Sequence, residues 1–435
     1  MRSLVACWML VGCAQLVGIH DDPGDASIGP SSDGGDDGGT SGCLAGLSDS
    51  GVCPSDLVAG VGTTCVLSNG LWCWGQFLPT MPLGAARPTQ VAGASPSLVA
   101  LATTPDPDSG NTEGAGCYLQ DGSAMCWGPN DVGELGRAAG SPIFPPVVES
   151  STGNLTYLVV GGDHVCAAAQ GSNVACTGEA DKDEIGSGSA NASCDSVPCD
   201  TSPVSIPIAV SHLFAAGGAH TCVSPSASYP IACWGANSSG QLGNPGAGQK
   251  SAVVPVLDGV GQMLSAASAL ALGTNHTCAI VGMMTYCWGD NASGELGIAN
   301  EIAIEGSAMA VDLPPATSFV QIAAGGETTC AIDGSGGVWC WGSDRRGTAG
   351  QAPTGSGSGI FPQVVPMPES VAIGSGLLAQ EIAVGYEHAC AVVTTGDIYC
   401  WGDNTHGELG DGETAHDEGA CGAQDCSYIP VRVKP

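Results

Sequence analysis

Basic residues are scarce in this sequence. Nine of its 435 residues are Lys or Arg and 42 are Asp or Glu, which gives a formal net charge of −33. A body with this charge repels DNA, RNA and anionic lipid surfaces. We therefore expect no nucleic-acid partner.

Helical periodicity and catalytic motifs are also missing. Beyond the N-terminus, no segment repeats its apolar residues at the spacing of a helix. The sequence has no Gly-x-Ser-x-Gly, no His-Glu-x-x-His and no phosphate-binding Gly-Lys-Ser/Thr. Its carboxylates scatter through candidate loops. We predict no catalytic, cofactor-binding or metal-binding residues, and a protein that is not an enzyme.

Cysteines recur in pairs across a turn in seven similar units. The members of each pair are 8 to 11 residues apart: Cys65 with Cys73, Cys117 with Cys126, Cys166 with Cys176, Cys222 with Cys233, Cys278 with Cys287, Cys330 with Cys340, and Cys390 with Cys400. Facing residues of an antiparallel hairpin have Cα atoms about 4.5–5.5 Å apart, which suits a disulfide. We expect a disulfide in each hairpin rather than redox-active or metal-binding cysteines.

A Trp-Gly dipeptide follows the second cysteine in six of the seven units, and the third unit has Thr177 instead of Trp. The second cysteines recur every 50 to 60 residues. A period of this size, built from strands, indicates an all-β, seven-bladed β-propeller of four-stranded blades over residues 57–435. The tryptophans are predicted to pack between blades, in preference to sensing ultraviolet light or stacking on carbohydrate.

A Pro-Val segment between hairpins supplies the fourth strand, for example at residues 203–206 and 255–257. Another such segment, residues 430–433, ends the sequence with no hairpin after it, and the first hairpin has no clear Pro-Val segment before it. We expect this C-terminal strand to complete the first blade and close the ring, because closure protects an exposed strand edge.

The most complete units have a specific motif. They read Cys287-Trp288-Gly289-Asp290-Asn291 with Gly294-Glu295-Leu296-Gly297, and Gly217-Gly218-Ala219-His220-Thr221-Cys222. They resemble the regulator of chromosome condensation repeat family over about residues 57–433. The resemblance implies a seven-bladed propeller. Relatives include a nuclear exchange factor for a small GTPase, ubiquitin-ligase domains, a plant ultraviolet receptor and a β-lactamase-inhibitor protein. Most bind proteins on a propeller face, but a shared fold transfers no single role.

The N-terminus contains a candidate export signal. Arg2 precedes an apolar stretch that is too short to cross a membrane as a helix, and Leu10-Val11-Gly12-Cys13 resembles the lipobox of bacterial lipoproteins. The resemblance implies a signal peptide at residues 1–12 and a lipid on Cys13. An ordinary secretory signal is the alternative. Residues 13–42 are rich in Asp, Gly and Ser, which predicts an acidic disordered tether.

The cysteine count fits an oxidising compartment. Of the 22 cysteines, Cys7 leaves with the signal and Cys13 carries lipid, so an even number remains. Six of these lie outside the hairpins and form three local pairs: Cys43 with Cys53, Cys194 with Cys199, and Cys421 with Cys426. We expect disulfides in all three, the first stapling an N-terminal loop at residues 43–56. The spacing of the other two also suits half a zinc site, but histidine partners are missing.

Some repeated polar residues admit a ligand-binding interpretation. One equivalent position is occupied by His164, His220, His276 and His388. Because Thr replaces His at this position in other units, we expect each histidine to hydrogen-bond a blade turn rather than to belong to a ring of metal ligands. The Asp-Asn loops at 290–291 and 403–404 lack the spacing of a calcium loop and indicate turn chemistry.

These observations predict a non-enzymatic, monomeric protein-binding scaffold without a cofactor, lipid-anchored at the bacterial outer membrane or cell surface. We expect its unknown protein partner to contact the Gly-Glu-Leu-Gly loops and residues 78–97, 104–115, 181–202 and 411–427. One alternative is an extracellular enzyme acting on polysaccharide or peptide, which needs carboxylates converging in one pocket. A guanine-nucleotide exchange factor for a small GTPase, by family analogy only, needs free thiols and no export.

We predict that the intact mass of envelope-extracted protein corresponds to cleavage before Cys13, added acyl chains and ten disulfides. Mass spectrometry with and without reduction and alkylation measures all three features. A full-length mass with thiols that alkylate before reduction contradicts the export argument.

Overall fold

The computed structural model describes residues 55–76, 85–92, 96–105, 114–148, 154–188, 190, 192–194, 196–226, 228–299, 303–352, 364–413, 415–416 and 424–434. All regular secondary structure in these ranges is β-strand. The described residues therefore contain no helix that is long and apolar enough to cross a membrane. The predicted lipidation site Cys13, the tether and the pair of Cys43 with Cys53 lie outside the described residues.

Within the described ranges, twenty-nine strands form seven antiparallel sheets, and the strands of each sheet are consecutive in sequence. The first three sheets comprise β1 (Ser55–Ala59), β2 (Thr63–Leu67), β3 (Leu71–Gly75) and β4 (Ala85–Ala92); β5 (Leu98–Leu101), β6 (Gly116–Gln120), β7 (Ser123–Asn130) and β8 (Gly140–Val148); and β9 (Tyr157–Val160), β10 (His164–Ala168), β11 (Asn173–Glu179), β12 (Ala192–Cys194) and β13 (Val197–Ala209).

The remaining four sheets follow the same plan. They comprise β14 (Leu213–Ala216), β15 (His220–Ser224), β16 (Ala232–Ala236) and β17 (Lys250–Pro255); β18 (Ala267–Leu272), β19 (His276–Val281), β20 (Met284–Asp290) and β21 (Ile304–Ala310); β22 (Phe319–Gly325), β23 (Thr328–Asp333), β24 (Val338–Ser343) and β25 (Val364–Val371); and β26 (Ala379–Val384), β27 (His388–Val393), β28 (Ile398–Asp403) and β29 (Cys426–Arg432).

These sheets are the blades of the predicted seven-bladed propeller, which is confirmed. Each blade has four main strands, and β12 is a short addition at the edge of the third. The first two strands of a blade are more buried than its outer strand: every residue of β14 and β15 is buried, whereas β17, the outer strand of the same blade, is exposed or half-buried. The apolar first strands therefore line the ring's interior, where neighbouring blades cover both of their faces.

The hairpin disulfides are confirmed in all seven blades. In each, the two cysteines are partners in the register of the second and third strands, and their Cα atoms are 4.1 Å apart. Each closes a short loop and contributes about 2–3 kcal/mol to stability in the chain-entropy model. The bonded pairs are Cys65 with Cys73, Cys117 with Cys126, Cys166 with Cys176, Cys222 with Cys233, Cys278 with Cys287, Cys330 with Cys340, and Cys390 with Cys400.

The local pairs outside the hairpins are described in part. A disulfide joins Cys194 to Cys199, as expected, with Cα atoms 5.8 Å apart. Cys426 is also disulfide-bonded, while its expected partner Cys421 lies outside the described residues. The bonded state of Cys194, Cys199 and Cys426 agrees with small disulfide loops rather than zinc sites.

The C-terminal strand does not complete the first blade, contrary to the prediction. Strand β29 pairs with β28 of the seventh blade, with Tyr399 opposite Arg432, while the first blade has its own outer strand, β4. The prediction had the phase of the repeat wrong. Each Pro-Val strand pairs with the hairpin that precedes it in the sequence. The last Pro-Val strand therefore completes the seventh blade.

The ring closes through contacts between the first and last blades instead of a shared strand. The Leu57 amide donates to Glu381 Oε1 at 2.8 Å, and the Tyr386 amide donates to the Gly60 carbonyl oxygen at 3.2 Å. Apolar side chains of β1 to β3, among them Leu57 and Trp74, join one buried cluster with those of blades five to seven. This seam is therefore as continuous as those between other neighbours.

Glycine after the tryptophan is required where the third strand passes the turn between the first two strands. Gly289 has φ +108°, and a Cβ there would collide with the Asn275 carbonyl oxygen. We predict that Gly289→Ala lowers the free energy of unfolding by more than about 3 kcal/mol, because backbone strain and overlap add together.

The matched control is Gly282→Ala in the same blade. Gly282 has φ +63° and nothing within 4 Å of an added Cβ, so strain alone should cost about 1–2 kcal/mol. Denaturant unfolding of both variants measures the difference, and equal losses contradict the role assigned to Gly289.

Candidate interaction face

Two connections of every blade reach the same end of the ring. Because the strands are antiparallel, the turn between the first and second strands and the loop between the third and fourth lie together. They are bonded to each other: the Asp290 amide donates to the Asn275 carbonyl oxygen at 2.9 Å, and the Asp403 amide to that of Glu387 at 2.8 Å. We call this end the loop face, and the opposite end, which carries the turns between second and third strands, the turn face.

The segments predicted to contact a partner are described in part. Residues 104–105 and 114–115 flank the connection from β5 to β6, residues 181–188 follow β11, and residues 411–413 follow β28, so these described parts belong to connections of the loop face. Of residues 78–97, the structure describes β4 and residues 96–97, which precede β5. Topology therefore brings the described parts of three predicted segments to one side of the molecule.

In four blades a buried or half-buried asparagine fixes the Gly-Glu/Gln-Leu-Gly loop. Its Oδ1 accepts a hydrogen bond from the leucine amide five residues later, at 3.0–3.1 Å, as seen for Asn130 with Leu135, Asn237 with Leu242, Asn291 with Leu296, and Asn404 with Leu409. In the sixth blade Asp344 replaces Asn and accepts from Ala349 at 2.8 Å. Side chains of this type satisfy backbone donors that would otherwise be unpaired in a turn.

The glutamate of the loop also turns inward. Its Oε2 accepts from the backbone amide two residues earlier, as in Ser293 to Glu295 and His406 to Glu408, both at 2.8 Å. Glu295, Glu408 and the leucines after them are almost completely buried. In four of the blades the residue after the Asn or Asp is open to a partner, since Ser238, Ala292, Arg345 and Thr405 are exposed.

The tryptophans bind these loops across the blade seams. Each indole Nε1 donates to the carbonyl oxygen at the loop-glutamate position of the preceding blade, at 2.7–2.9 Å: Trp74 to Glu408, Trp234 to Glu184, Trp288 to Gln241, Trp341 to Glu295 and Trp401 to Thr348. All five rings are fully buried. The predicted interblade packing is therefore accompanied by a hydrogen bond.

The third blade keeps this bond without a tryptophan. Thr177 Oγ1 donates to the Glu134 carbonyl oxygen at 2.8 Å, the equivalent acceptor in the second blade. Thr177 is fully buried. The departure of the third unit from the motif therefore replaces the aromatic ring but retains the donor.

The repeated histidines bridge blades rather than bonding turns of their own. Each Nε2 lies 2.6–2.9 Å from a threonine hydroxyl of the next blade: His164 with Thr221, His220 with Thr277, His276 with Thr329, and His388 with Thr64 across the ring closure. Thr277 and Thr329 in turn donate to the carbonyl oxygens of Gln241 and Glu295. The imidazole therefore donates from Nε2 in these two seams.

Burial keeps these histidines neutral. It lowers the pKa of His164 and His388 to about 4 and that of His220 and His276 to about 3. A neutral ring with its Nε2 bonded to a hydroxyl suits a structural contact. The four side chains thus belong to the seams and not to the open part of the loop face.

Burial also disfavours the ionised form of several loop-face carboxyl groups. It raises the pKa of Glu295 to about 7, with neighbouring Asp290 and Glu327 acting in the same direction. Burial also raises the pKa of Asp344 to about 8, although three hydrogen bonds from backbone amides act in the opposite direction. The pKa values of Glu184 and Asp403 are also raised by burial, and then by neighbouring carboxylates.

Two groups of possible metal ligands converge that the sequence analysis did not single out, although the members of each lie within six positions of one another in the sequence. Glu179, Asp181 and Glu184 have ligand atoms within 4.8 Å of one another. Lys182 Nζ lies 3.1–3.8 Å from all three. Burial alone would lower the pKa of this lysine, but the carboxylates raise it. The protein thus supplies its own cation to this group.

The second group is Asp403, His406 and Glu408. His406 Nδ1 lies 3.0 Å from Glu408 Oε1. Arg346 reaches the group from the sixth blade, with its Nε 3.9 Å from Asp403 Oδ1 and 3.5 Å from Glu387 Oε2. The arginine therefore links blades six and seven through two carboxylates.

A cleft opens on the loop face between the sixth and seventh blades. It is lined by Thr348, Arg345 and Arg346 of the sixth-blade loop together with Glu327, Tyr386 and Glu387 from the turns of the two blades. Arg345 is exposed, and Tyr386 is 36% exposed. The cleft therefore combines two guanidinium groups, two carboxylates and an aromatic ring.

Comparison with known proteins agrees with the propeller geometry. Residues 319–348 and 380–408 match the family described as regulator of chromosome condensation (RCC1) repeat. These two segments, in blades six and seven, match the RCC1 repeat. The protein is 27% identical over 354 residues to the E3 ubiquitin-protein ligase HERC2 of Homo sapiens, and 28% identical over 205 residues to the ultraviolet-B receptor UVR8 of Arabidopsis thaliana.

These matches cover unequal shares of the relatives. They include 77% of this sequence but 6% of HERC2, and 46% of this sequence and 43% of UVR8. Among solved structures, yeast RCC1 (Prp20) bound to Kap60 matches with a TM-score of 0.64 at 18% identity, over 94% of this protein and 91% of that one. Human WBSCR16 matches with the same TM-score at 16% identity, over 81% and 86%. At such identities the RCC1-repeat likeness establishes the fold alone.

Proposed function

We propose that this protein is a non-enzymatic recognition scaffold whose loop face binds a partner protein. In this proposal it acts as a monomer held by a lipid on Cys13 at the bacterial outer membrane or cell surface. The observation that carries the recognition role is a loop face whose described loops are hydrogen-bonded across six of the blade seams.

Rigidity of that face supports the proposal. A surface that is already ordered loses less conformational entropy when it binds, so more of the contact energy appears as affinity. The loop positions are fixed by buried Asn, Glu and Trp side chains, while Ser238, Ala292 and Thr405 remain exposed. Binding residues on loops held by a rigid framework are the usual arrangement in recognition proteins.

The charge and the cysteines support an extracellular setting. A formal net charge of −33 favours solubility and argues against nucleic acid as the partner. Disulfides such as those of the seven hairpins persist in oxidising compartments and are rare in the cytosol. Together with the lipobox-like Leu10-Val11-Gly12-Cys13, these features favour export.

The relatives agree with a protein partner. The yeast propeller was solved bound to Kap60, and another structure of Prp20p is described with its binding to Gsp1p and histones. Histones are basic and would suit an acidic surface, but each of these partners is known for the relative only. We take from them the class of ligand, which is protein.

The enzyme alternative has one observation in its favour. The cleft between blades six and seven contains Glu327 and Glu387 beside the half-exposed Tyr386. Glu387 is paired with Arg346 at 3.5 Å, and Glu327 Oε2 accepts from Ser293 Oγ at 2.9 Å. Both carboxylates thus have structural partners, which favours binding over acid–base catalysis.

We expect photo-crosslinking to locate the partner on the loop face. A photoreactive phenylalanine is placed at Ser238, Ala292 or Thr405, which are exposed and equivalent in three blades. After irradiation of cells that naturally express the protein, each position should yield the same crosslinked product, because one partner spans several blades of the loop face.

The controls carry the same photoreactive residue on the turn face, at Ser172, Ser335 or Thr395, which are also exposed. These should give no common product. A common product from the turn-face positions with none from the loop face would overturn the proposed binding face, and release of reducing sugar or peptide by the purified protein would favour the enzyme alternative.

A further inference from the structure

The cleft between blades six and seven coincides with a change in the repeat. Where other loops have Glu or Gln, as at Glu295, Glu408 and Gln241, the sixth blade has Thr348. The short Thr348 side chain donates to the Glu387 carbonyl oxygen at 2.7 Å. The sixth loop thus lacks the long polar side chain that the others insert between blades.

The space corresponds to that of the missing side chain. In the seam between blades five and six, Glu295 bonds the amide of Ser293 and lies near Asp290 and Glu327. In the next seam, between blades six and seven, the positions of Ser293, Asp290 and Glu327 are occupied by Arg346, Ser343 and Glu387. All three of these residues line the cleft. The cleft therefore lies where the other repeats place a carboxylate or an amide.

The same loop concentrates positive charge. Arg345 and Arg346 are the only adjacent pair of basic residues in a sequence with nine Lys and Arg in total. Arg346 is neutralised by Glu387 and Asp403 at 3.5 and 3.9 Å. Arg345 is exposed and makes no ion pair with the residues that the structure describes. One guanidinium at the cleft is thus left for a ligand.

We propose that this cleft binds a carboxylate of the partner protein, from an acidic side chain or a C-terminus, which takes the place that glutamate has in other repeats. The inference rests on the proposed protein-binding function. A guanidinium binds a carboxylate through two parallel hydrogen bonds, and Arg and Tyr are enriched at the energetic centres of protein interfaces. Tyr386 supplies the aromatic surface beside Arg345.

Titration with two peptides, each labelled at its N-terminus with an uncharged fluorophore, tests the site. Hexaglutamate amide offers side-chain carboxylates only, hexaglycine with a free C-terminus offers a terminal carboxylate only, and hexaglutamine amide with the same label is the neutral control. We expect at least one acidic probe to bind at moderate salt, with no binding of the neutral one. The probe that binds identifies the source of the carboxylate.

Three variants assign that binding to the cleft. Arg345→Ala should weaken it on the order of tenfold or more, as expected for loss of a charge-assisted hydrogen bond. Thr348→Glu should abolish it, because the protein then supplies its own carboxylate as in other repeats. The matched control, Arg137→Ala, removes an exposed arginine from the second-blade loop on the same face and should bind as the native protein does.

Equal affinities of the Arg345→Ala and Arg137→Ala variants, or failure of both acidic probes to bind the native protein, would overturn the proposal. Thermal unfolding of each variant identifies any that fails to fold. If Thr348→Glu fails to fold, Arg345→Ala still tests the site, because the Arg345 side chain is exposed and its loss should not affect folding. If loop-face crosslinking still captures a protein when the probes fail, the carboxylate site is wrong and the proposed function stands.

Discussion

The bond from a buried side chain to a loop carbonyl of the preceding blade is the interaction on which the structure depends. Five indoles and the Thr177 hydroxyl supply it, at distances of 2.7–2.9 Å. In four seams a histidine–threonine pair lies beside it. Because these groups are buried, leaving one unpaired costs about 1–3 kcal/mol, so the blades are held in one relative position.

That constraint links the fold to its proposed role. The loop bonded by the indole is the loop that carries the exposed residues of the interaction face, so fixing the seam also fixes the recognition surface. The sixth blade departs from the pattern at Thr348, and there a cleft replaces an internal contact. In blades five and seven the loop glutamate fills the seam and holds the loop in place. In the sixth blade the shorter Thr348 leaves room for the proposed ligand.

The sequence predicted those features that repeat locally. Facing cysteines, Trp-Gly dipeptides and a period of 50 to 60 residues were sufficient for the propeller, its hairpin disulfides and its buried tryptophans. They were insufficient to decide which hairpin each Pro-Val strand pairs with. Each Pro-Val segment lies between two hairpins in the sequence and could pair with either of them. The histidine partners and the cleft involve residues about 40 to 60 positions apart or more in different blades, and no local pattern encodes such contacts.

Amide hydrogen exchange tests most directly whether the loop face is rigid. The relevant amides are those of Leu135, Leu242, Leu296 and Leu409, which bond to asparagine side chains. If the face is preformed, they exchange as slowly as the central strands and far more slowly than exposed amides of the turn face, such as that of Thr395. Exchange of the leucine amides as fast as those turns would show that the loops open freely, and would contradict a preformed recognition surface.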